Sequence, residues 1–233
     1  MQTLLDAFVS AFQLLTSGDP ELLAIVGLTL RVTGLALLLA LLLGLPVGAL
    51  LGLLGRFPGG GCVIPLIYTG MGLPPVVVGL FVYLLLSRQG PLGGLDWLFT
   101  PSAMVMAQTI IAWPLVVGLT LTAVQSLDPL LPLQLRALGA TRWQMARTML
   151  LESKLGVFAA IVAAFGSIIS EVGAVILVGG NIRGETRVLT TAIVLETRKG
   201  QFALAIALGL ILLLLSLLAN LALYRLQQRG AVR

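Results

Sequence analysis

The sequence predicts an all-α membrane protein with about five transmembrane helices. Of its 233 residues, 58% are hydrophobic and only 10% are charged, whereas soluble domains carry about 25% charged residues. A chain this apolar could not cover a surface that faces water, so lipid is its expected solvent. The apolar runs are long, do not alternate with polar residues and are rich in Leu, Ala and Gly, which favours helices over a β-barrel.

Five apolar runs provide the predicted spans, each long enough for the roughly 20 residues that a helix needs to cross a bilayer. The first has an amphipathic entry around Thr29–Thr33 before its strongly apolar part begins. Pro74-Pro75 breaks the second run, and the third contains Pro114. The runs are, in order, Leu22–Leu54, Cys62–Leu86, Ser102–Val124, Leu155–Val178 and Phe202–Tyr224.

Other segments flank and connect these spans. Leu4–Leu15 predicts a short amphipathic helix, too short to cross a membrane. Residues 1–20 lack the basic start of a secretory signal, and the apolar run after them is too long for one. We therefore expect an uncleaved N-terminal segment at 1–20, one transmembrane domain at 21–225 with a polar loop at about 126–154, and a tail at 226–233.

The first predicted span carries glycines at regular spacing. Gly44, Gly48 and Gly52 recur every four residues and so share one helix face. Small residues at this spacing let helix backbones approach closely. We predict that this face packs against another helix, within the subunit or across a dimer, and that it has no role in binding substrate.

Composition excludes several kinds of chemistry. The chain has no histidine, and Cys62 is its only cysteine. An intrachain disulfide, a Cys/His zinc site and a His-based catalytic triad are therefore excluded. The net charge of +5 does not indicate a nucleic-acid partner, because the basic residues lie at span ends and in loops. Placing the C-terminus in the cytoplasm puts a small excess of Lys and Arg inside, as membrane proteins prefer.

The polar loop between the third and fourth spans predicts two short helices. Asp128 and Pro129 are suited to the start of the first helix, and Gly139 is suited to its end. The second helix is expected to begin at about Thr141. Leu131, Leu135 and Leu138 would form an apolar stripe, which would rest on lipid or fit a groove on a partner protein.

This loop resembles the cytoplasmic coupling loop of ABC importer permeases. The family pattern is Glu-Ala-Ala, three residues, Gly, nine residues, Ile, one residue, Leu-Pro; Gly139 matches its glycine, and Met149 and Leu151 match Ile and Leu. The departures are Leu133-Gln134-Leu135 in place of Glu-Ala-Ala and Glu152 in place of proline. The residues that would contact an ATPase are Leu135, Arg136, Ala137, Leu138, Gly139, Ala140, Thr141, Arg142 and Trp143.

Three further stretches are similar to the oxyanion group of these permeases, and most of all to its tungstate-type branch. Tyr68–Leu80 resembles the proline-broken second core helix of the family. Ser170–Ala174, Gly179–Ile182 and Thr186–Ile193 resemble the tungstate-type branch, which is close to the molybdate permeases. The resemblance covers the chain from about Thr29 onward.

The resemblance implies the molybdate/methionine-type permease fold and a subunit of an oxyanion importer, with tungstate favoured. A second copy would complete the pathway, two cytoplasmic ATPase subunits would bind ATP and Mg²⁺, and an extracytoplasmic binding protein would deliver the anion. The implied location is the plasma (inner) membrane of a prokaryote, with the C-terminus cytoplasmic. This chain has no Walker sequence, so it is expected to hold no cofactor. A permease for molybdate or another oxyanion, and an ATP-independent channel or secondary transporter, remain alternatives.

Two places in the apolar runs are candidate gate or pathway positions. Pro75 and Pro74 lack amide donors and bar a normal helix at Leu73, so this break would be a gate or a packing kink. The second place holds Glu171, the acidic residue deepest in the apolar runs, with Ser170 and Gly173 near it. Because a carboxylate repels a dianion, we expect Glu171 to have a structural or gating role; the alternatives are a residue that reaches water and a protonated residue near the anion.

The loop between the fourth and fifth spans is the predicted outer loop. Arg183 and Arg187 would raise the local concentration of the anion or meet acidic groups of the binding protein. The alternative is a solvated loop in which Glu185 and Glu196 pair with the two arginines. The other candidate residues of this loop are Gly180, Asn181, Thr190 and Thr191.

Overall fold

The computed structural model describes residues 8–9, 12–13, 18–55 and 58–231. The predicted helix at Leu4–Leu15 therefore lies largely outside the described residues. The helices are α1 (Pro20–Leu54), α2 (Gly60–Met71), α3 (Pro75–Leu86), α4 (Pro101–Gln125), α5 (Leu131–Ala137), α6 (Arg142–Glu152), α7 (Lys154–Ile169), α8 (Gly173–Gly179), α9 (Leu189–Arg198) and α10 (Phe202–Ala231), with a 3₁₀ turn at Gly93–Leu95.

The described helices confirm the predicted fold class. Three continuous helices, α1, α4 and α10, are long and apolar enough to cross a membrane. Two bent pairs, α2 with α3 and α6 with α7, meet the same criterion, which gives up to five spans. The first, third and fifth predicted spans each coincide with one of the continuous helices.

The second predicted span is broken at its double proline. Helix α2 ends at Met71, and Pro74 adopts the extended conformation that places Pro75 at the start of α3. The backbone N–H of Leu73 donates to Gly70 O (3.3 Å), and that of Val77 to Pro74 O (2.9 Å). Backbone hydrogen bonds are therefore present on both sides of the double proline.

The prediction of a continuous fourth span over Leu155–Val178 is wrong. Helix α7 ends at Ile169, residues 170–172 are not helical, and α8 starts at Gly173. Helix α7 also meets α6 at an angle of 77°. With 16 residues, α7 is about 24 Å long, which is shorter than the hydrocarbon core of about 30 Å.

The described residues fall into two compact units, each with its own apolar core. The first is drawn from the ranges 1–35, 74–108 and 169–222. Its helices α3 and α8 touch at the backbone, since a Cβ at Gly79 would lie 2.6 Å from the Cα of Ala174. Elsewhere in this unit, α1, α9 and α10 share a cluster of buried side chains, which are Leu22, Leu189, Ala192, Leu208 and Ile211.

The second unit is drawn from the ranges 36–73, 109–168 and 223–233. The glycine face of α1 lies against α4 there. A Cβ at Gly44 would lie 2.7 Å from Val116 Cγ1, and one at Gly48 would lie 2.7 Å from the backbone oxygen of Val117. At Gly52 the same distance separates the Cβ position from a side-chain carbon of Val124. Only glycine therefore allows the two helices this approach.

Candidate functional site

The polar loop folds into α5 and α6, joined by a left-handed turn. Helix α5 ends where Gly139 adopts φ +78°, and the N–H of Ala140 donates to Leu135 O (3.0 Å). Nothing lies within 4 Å of the position a Cβ would take at Gly139. The backbone conformation rather than crowding therefore calls for glycine here.

A side-chain cap starts α6, whereas α5 follows a turn that a side chain stabilises. Asp128 Oδ1 accepts the N–H of Leu130 (2.8 Å) in the turn that leads into α5, which begins three residues after Asp128 rather than directly at Pro129. Thr141 and Gln144 form a reciprocal capping box at the start of α6, with bonds of 3.3 and 2.8 Å. These local bonds set the two helices on either side of Gly139.

The predicted apolar stripe of this loop divides between two environments. Leu131 and Leu135 pack inward, so the prediction that they share one outward surface with Leu138 is wrong. They cover a buried cluster of Ala49, Val124, Ala146 and Met149. The exposed apolar surface is instead formed by Leu138 (83% exposed), Trp143 (64%) and Leu133 (57%). Large apolar side chains so exposed on a polar loop are typical of a surface that contacts a partner protein or lipid.

Glu171 lies in the break between α7 and α8. Its side chain is buried (9% exposed), and Oε1 accepts the N–H of Ala174 at 2.9 Å. The backbone oxygen of Glu171 accepts the hydroxyl of Thr190 at 3.0 Å. The carboxylate therefore satisfies a donor in the first turn of α8, and Thr190 ties this break to the start of α9.

The candidate residues of the outer loop are mostly tied to its own backbone. The amide of Asn181 donates to Thr191 O (3.4 Å), and the hydroxyl of Thr191 accepts the N–H of Val188 (3.1 Å). The hydroxyl of Thr186, which is completely buried, donates to Gly179 O and accepts the N–H of Ile182 (2.9 Å). These bonds hold a compact loop between α8 and α9.

Arg183 and Arg187 converge on Glu21 at the start of α1. Arg183 Nε donates to Glu21 Oε1 (2.8 Å) and its Nη2 pairs with Oε2, while Arg187 Nη1 lies 3.6 Å from Oε1. The expectation that Glu185 and Glu196 are the partners of these arginines is wrong. Glu196 pairs with Lys199 at 2.8 Å.

Sequence reasoning missed Glu21 as a member of this site. Nothing in the local sequence pattern links it to residues far along the chain. A usable signal was present: with five spans, the start of the first span and the loop after the fourth must lie on the same side. Opposite charges at those two places, Glu21 against Arg183 and Arg187, were candidates for pairing.

Comparison with known proteins places the chain among transport components. The family profile described as "Binding-protein-dependent transport system inner membrane component" matches residues 44–231. The chain is 46% identical over 204 residues to a "Probable anion ABC transporter permease protein" of Haloferax volcanii, covering 85% of this chain and 88% of that protein. It is 38% identical over 228 residues to the tungstate uptake system permease protein TupB of Peptoclostridium acidaminophilum (98% and 100%). It is 33% identical over 214 residues to the molybdenum transport system permease protein ModB of Escherichia coli K12 (85% and 93%).

Solved structures share this fold. The MetNI methionine ABC transporter in an inward-facing conformation matches with a TM-score of 0.72 at 20% identity, over 90% of this chain and 95% of that one. A bacterial alginate ABC transporter in complex with a periplasmic protein matches with the same TM-score at 23% identity, over 95% and 82%. At these identities the likeness establishes the fold, and it agrees with the methionine-type permease fold expected from the sequence.

Proposed function

Because this chain belongs to the family of binding-protein-dependent transport system inner membrane components, we propose that two copies of it form the pathway of an ABC importer for tungstate. The chain is a permease subunit, and its sequence contains no Walker motif for ATP. In this proposal ATP and Mg²⁺ bind to two separate cytoplasmic ATPase subunits. The permease contributes the pathway and the surface on which the ATPases act.

The choice of tungstate is supported by similarity over the whole chain. The tungstate permease relative aligns with 98% of this chain at 38% identity, while the molybdenum permease relative aligns with 85% at 33%. Molybdate is the second candidate, because tungstate and molybdate are both tetrahedral dianions and present the same hydrogen-bond acceptors. The binding protein would make most of the choice between them.

The observation that carries the proposal is the loop surface around Gly139. Leu133, Leu138 and Trp143 are exposed, whereas Leu131 and Leu135 of the same loop pack inward. Exposed aromatic and aliphatic side chains on either side of a left-handed turn are suited to a groove on a partner. We assign this groove to the ATPase subunit, so that nucleotide-driven motion is passed to α4 and α7, the helices that flank the loop.

The proposed sidedness puts the loop of α5 and α6 and the C-terminus in the cytoplasm of a prokaryote, whose plasma (inner) membrane holds the subunit. The cluster of Glu21, Arg183 and Arg187 then faces the outside, where a binding protein would dock. The family description itself refers to binding-protein-dependent transport. The small excess of basic residues inside supports the same orientation.

A reconstituted complex tests the proposal. The permease, the ATPase and the binding protein would be placed in vesicles, and ATP hydrolysis would be measured with tungstate, molybdate, sulfate and phosphate in turn. We expect tungstate to stimulate hydrolysis most and to accumulate in the vesicles. An ATPase that binds but cannot hydrolyse ATP is the control. Accumulation that persists with this control would exclude an ATP-driven importer in favour of a channel or secondary transporter.

A further inference from the structure

A cavity of about 590 Å³ lies beside the pair of Glu21 and Arg183. One wall is a face of α1 that includes Ala24, Ile25 and Leu28, and the opposite wall is the loop around Gly184. The charged groups that line it are Glu21, Arg31, Arg183, Glu185 and Arg187. Three guanidinium groups and two carboxylates give this cavity a net charge of +1.

Arg31 lies where the long uncharged part of α1 begins. It is 11 residues beyond Pro20, and hence about 17 Å along the helix axis. The stretch Val32–Leu54 contains no charged residue and is about 34 Å long as a helix, enough to cross a hydrocarbon core of about 30 Å. Arg31 is therefore positioned at the level of the lipid phosphates.

The three arginines differ in how many of their N–H donors have no hydrogen-bond acceptor. Arg183 is bonded to both oxygens of Glu21. Arg187 reaches Glu21 only at 3.6 Å, which is too long for a hydrogen bond, and its buried Nε has no hydrogen-bond partner among the described residues. Arg31 is exposed and forms no ion pair within the described part of the chain. Arg31 and Arg187 thus carry unused donors at one cavity.

We propose that this cavity binds a tetrahedral oxyanion group, held by the guanidinium groups of Arg31 and Arg187. Arginine matches the geometry of a phosphate with paired N–H donors. A singly charged phosphodiester neutralises the net charge of the cavity, whereas a free dianion leaves one negative charge in excess. The phosphodiester of a phospholipid headgroup is therefore the expected source, because Arg31 lies at the level of the lipid phosphates and the acyl chains would leave the cavity toward the part of α1 that follows Arg31.

Binding to the full-length chain tests this site independently of transport. Retention of phosphatidylglycerol would be measured by native mass spectrometry of the purified chain in detergent, and binding of sodium tungstate would be measured separately by equilibrium dialysis. The variants are Arg31→Gln, Arg31→Lys and Arg187→Lys. Arg198→Gln is the matched control, because Arg198 is exposed and does not line this cavity.

We expect Arg31→Gln to weaken retention of the lipid by about ten- to hundredfold, as for loss of hydrogen bonds to a charged group. Arg31→Lys should weaken it less, and Arg198→Gln should leave it unchanged. If the variants weaken tungstate binding instead, the oxyanion site stands and its occupant is the free ion. Equal binding of both probes by the wild-type chain and Arg31→Gln would overturn the proposal. Since neither assay involves ATP or uptake, failure here would not bear on the proposed importer.

Discussion

Arg183 and Glu21 form a two-point ion pair although 162 residues separate them in the chain. The pair ties the first turn of α1 to the loop that precedes α9. The pKa of Arg183 lies above its ordinary value because Glu21 accepts hydrogen bonds from the guanidinium. Both side chains are in contact with solvent, at 74% and 39% exposed, so we expect the pair to set local charge and position more than overall stability.

Glu21→Gln should make the end of the permease that carries Arg183 and Arg187 more positive. Because the two arginines lose the carboxylate that neutralises them, the apparent KM for tungstate uptake should fall at low ionic strength by about two- to tenfold. The difference should vanish near physiological salt, where exposed charges are screened beyond about 8 Å. Uptake by reconstituted vesicles at several salt concentrations measures this.

Asp96→Asn is the control for the same change in net charge. Asp96 is exposed and its φ of +50° is one that asparagine tolerates. An identical shift in KM from both variants would show that net charge alone matters. No shift from Glu21→Gln at low salt would remove the electrostatic role of the two arginines.

Leu138→Ser should uncouple the permease from its ATPase without unfolding it. Leu138 is 83% exposed, so the folded subunit loses little on its replacement. A central apolar contact in an interface, however, contributes enough that its removal should weaken ATPase binding by about tenfold or more. Co-purification and titration of the ATPase against the permease measure the effect.

Leu213→Ser is the control, because it removes an equally apolar, 67% exposed side chain of α10. If it weakens ATPase binding as much as Leu138→Ser does, the assignment of the interface is wrong.

Gly139→Ala tests whether the left-handed turn itself is needed. A Cβ at φ +78° costs about 1–2 kcal/mol, and no neighbour lies within 4 Å to add a clash. The chain should therefore fold while the orientation of α5 relative to α6 is disturbed, and anion-stimulated ATP hydrolysis should fall. Gly27→Ala is the control, since Gly27 is in α1 with nothing within 4 Å of its Cβ position. Full coupling in Gly139→Ala would show that the turn tolerates another backbone conformation.

Local sequence rules predicted the features that depend on a few neighbouring residues. Gly139 ends α5 because a left-handed residue suits glycine, and Pro74 and Pro75 break the second span because they lack N–H donors and exclude helix before them. The spans themselves follow from uninterrupted apolar length. In each case the residues that decide the structure are neighbours in one continuous stretch of the sequence.

Features that depend on distant partners were not predictable in this way. The inward packing of Leu131 and Leu135 depends on a cluster that includes Ala49, on a helix remote in sequence. The fourth span was predicted as continuous because its composition is apolar, yet the carboxylate of Glu171 binds the N–H of Ala174 and helps to start a separate helix. A charged residue inside an apolar run was the available signal that this helix is interrupted.

Gly48→Ala should destabilise the contact between α1 and α4. The added Cβ would lie 2.7 Å from the backbone oxygen of Val117, and a backbone atom cannot move aside as a side chain can. Overpacking of this kind costs about 1–3 kcal/mol, so the melting temperature of the purified subunit should fall. Gly34→Ala, on the same helix with nothing within 4 Å, should not lower it. Equal melting temperatures for both variants would mean that the helices separate easily at this point.

Two variants of Glu171 distinguish a structural role of this side chain from a role of its negative charge. Glu171→Gln keeps an oxygen that can accept the N–H of Ala174, so α8 should form and the complex should assemble. Glu171→Leu leaves that buried N–H without its acceptor, which costs about 1–3 kcal/mol, and should lower the melting temperature. Because Thr190 bonds the backbone oxygen of Glu171, the link to α9 survives in both variants. Wild-type uptake by Glu171→Gln, together with a destabilised Glu171→Leu, would assign Glu171 to support of the fold. Lost uptake in a well-assembled Glu171→Gln would instead show that the negative charge itself takes part in gating.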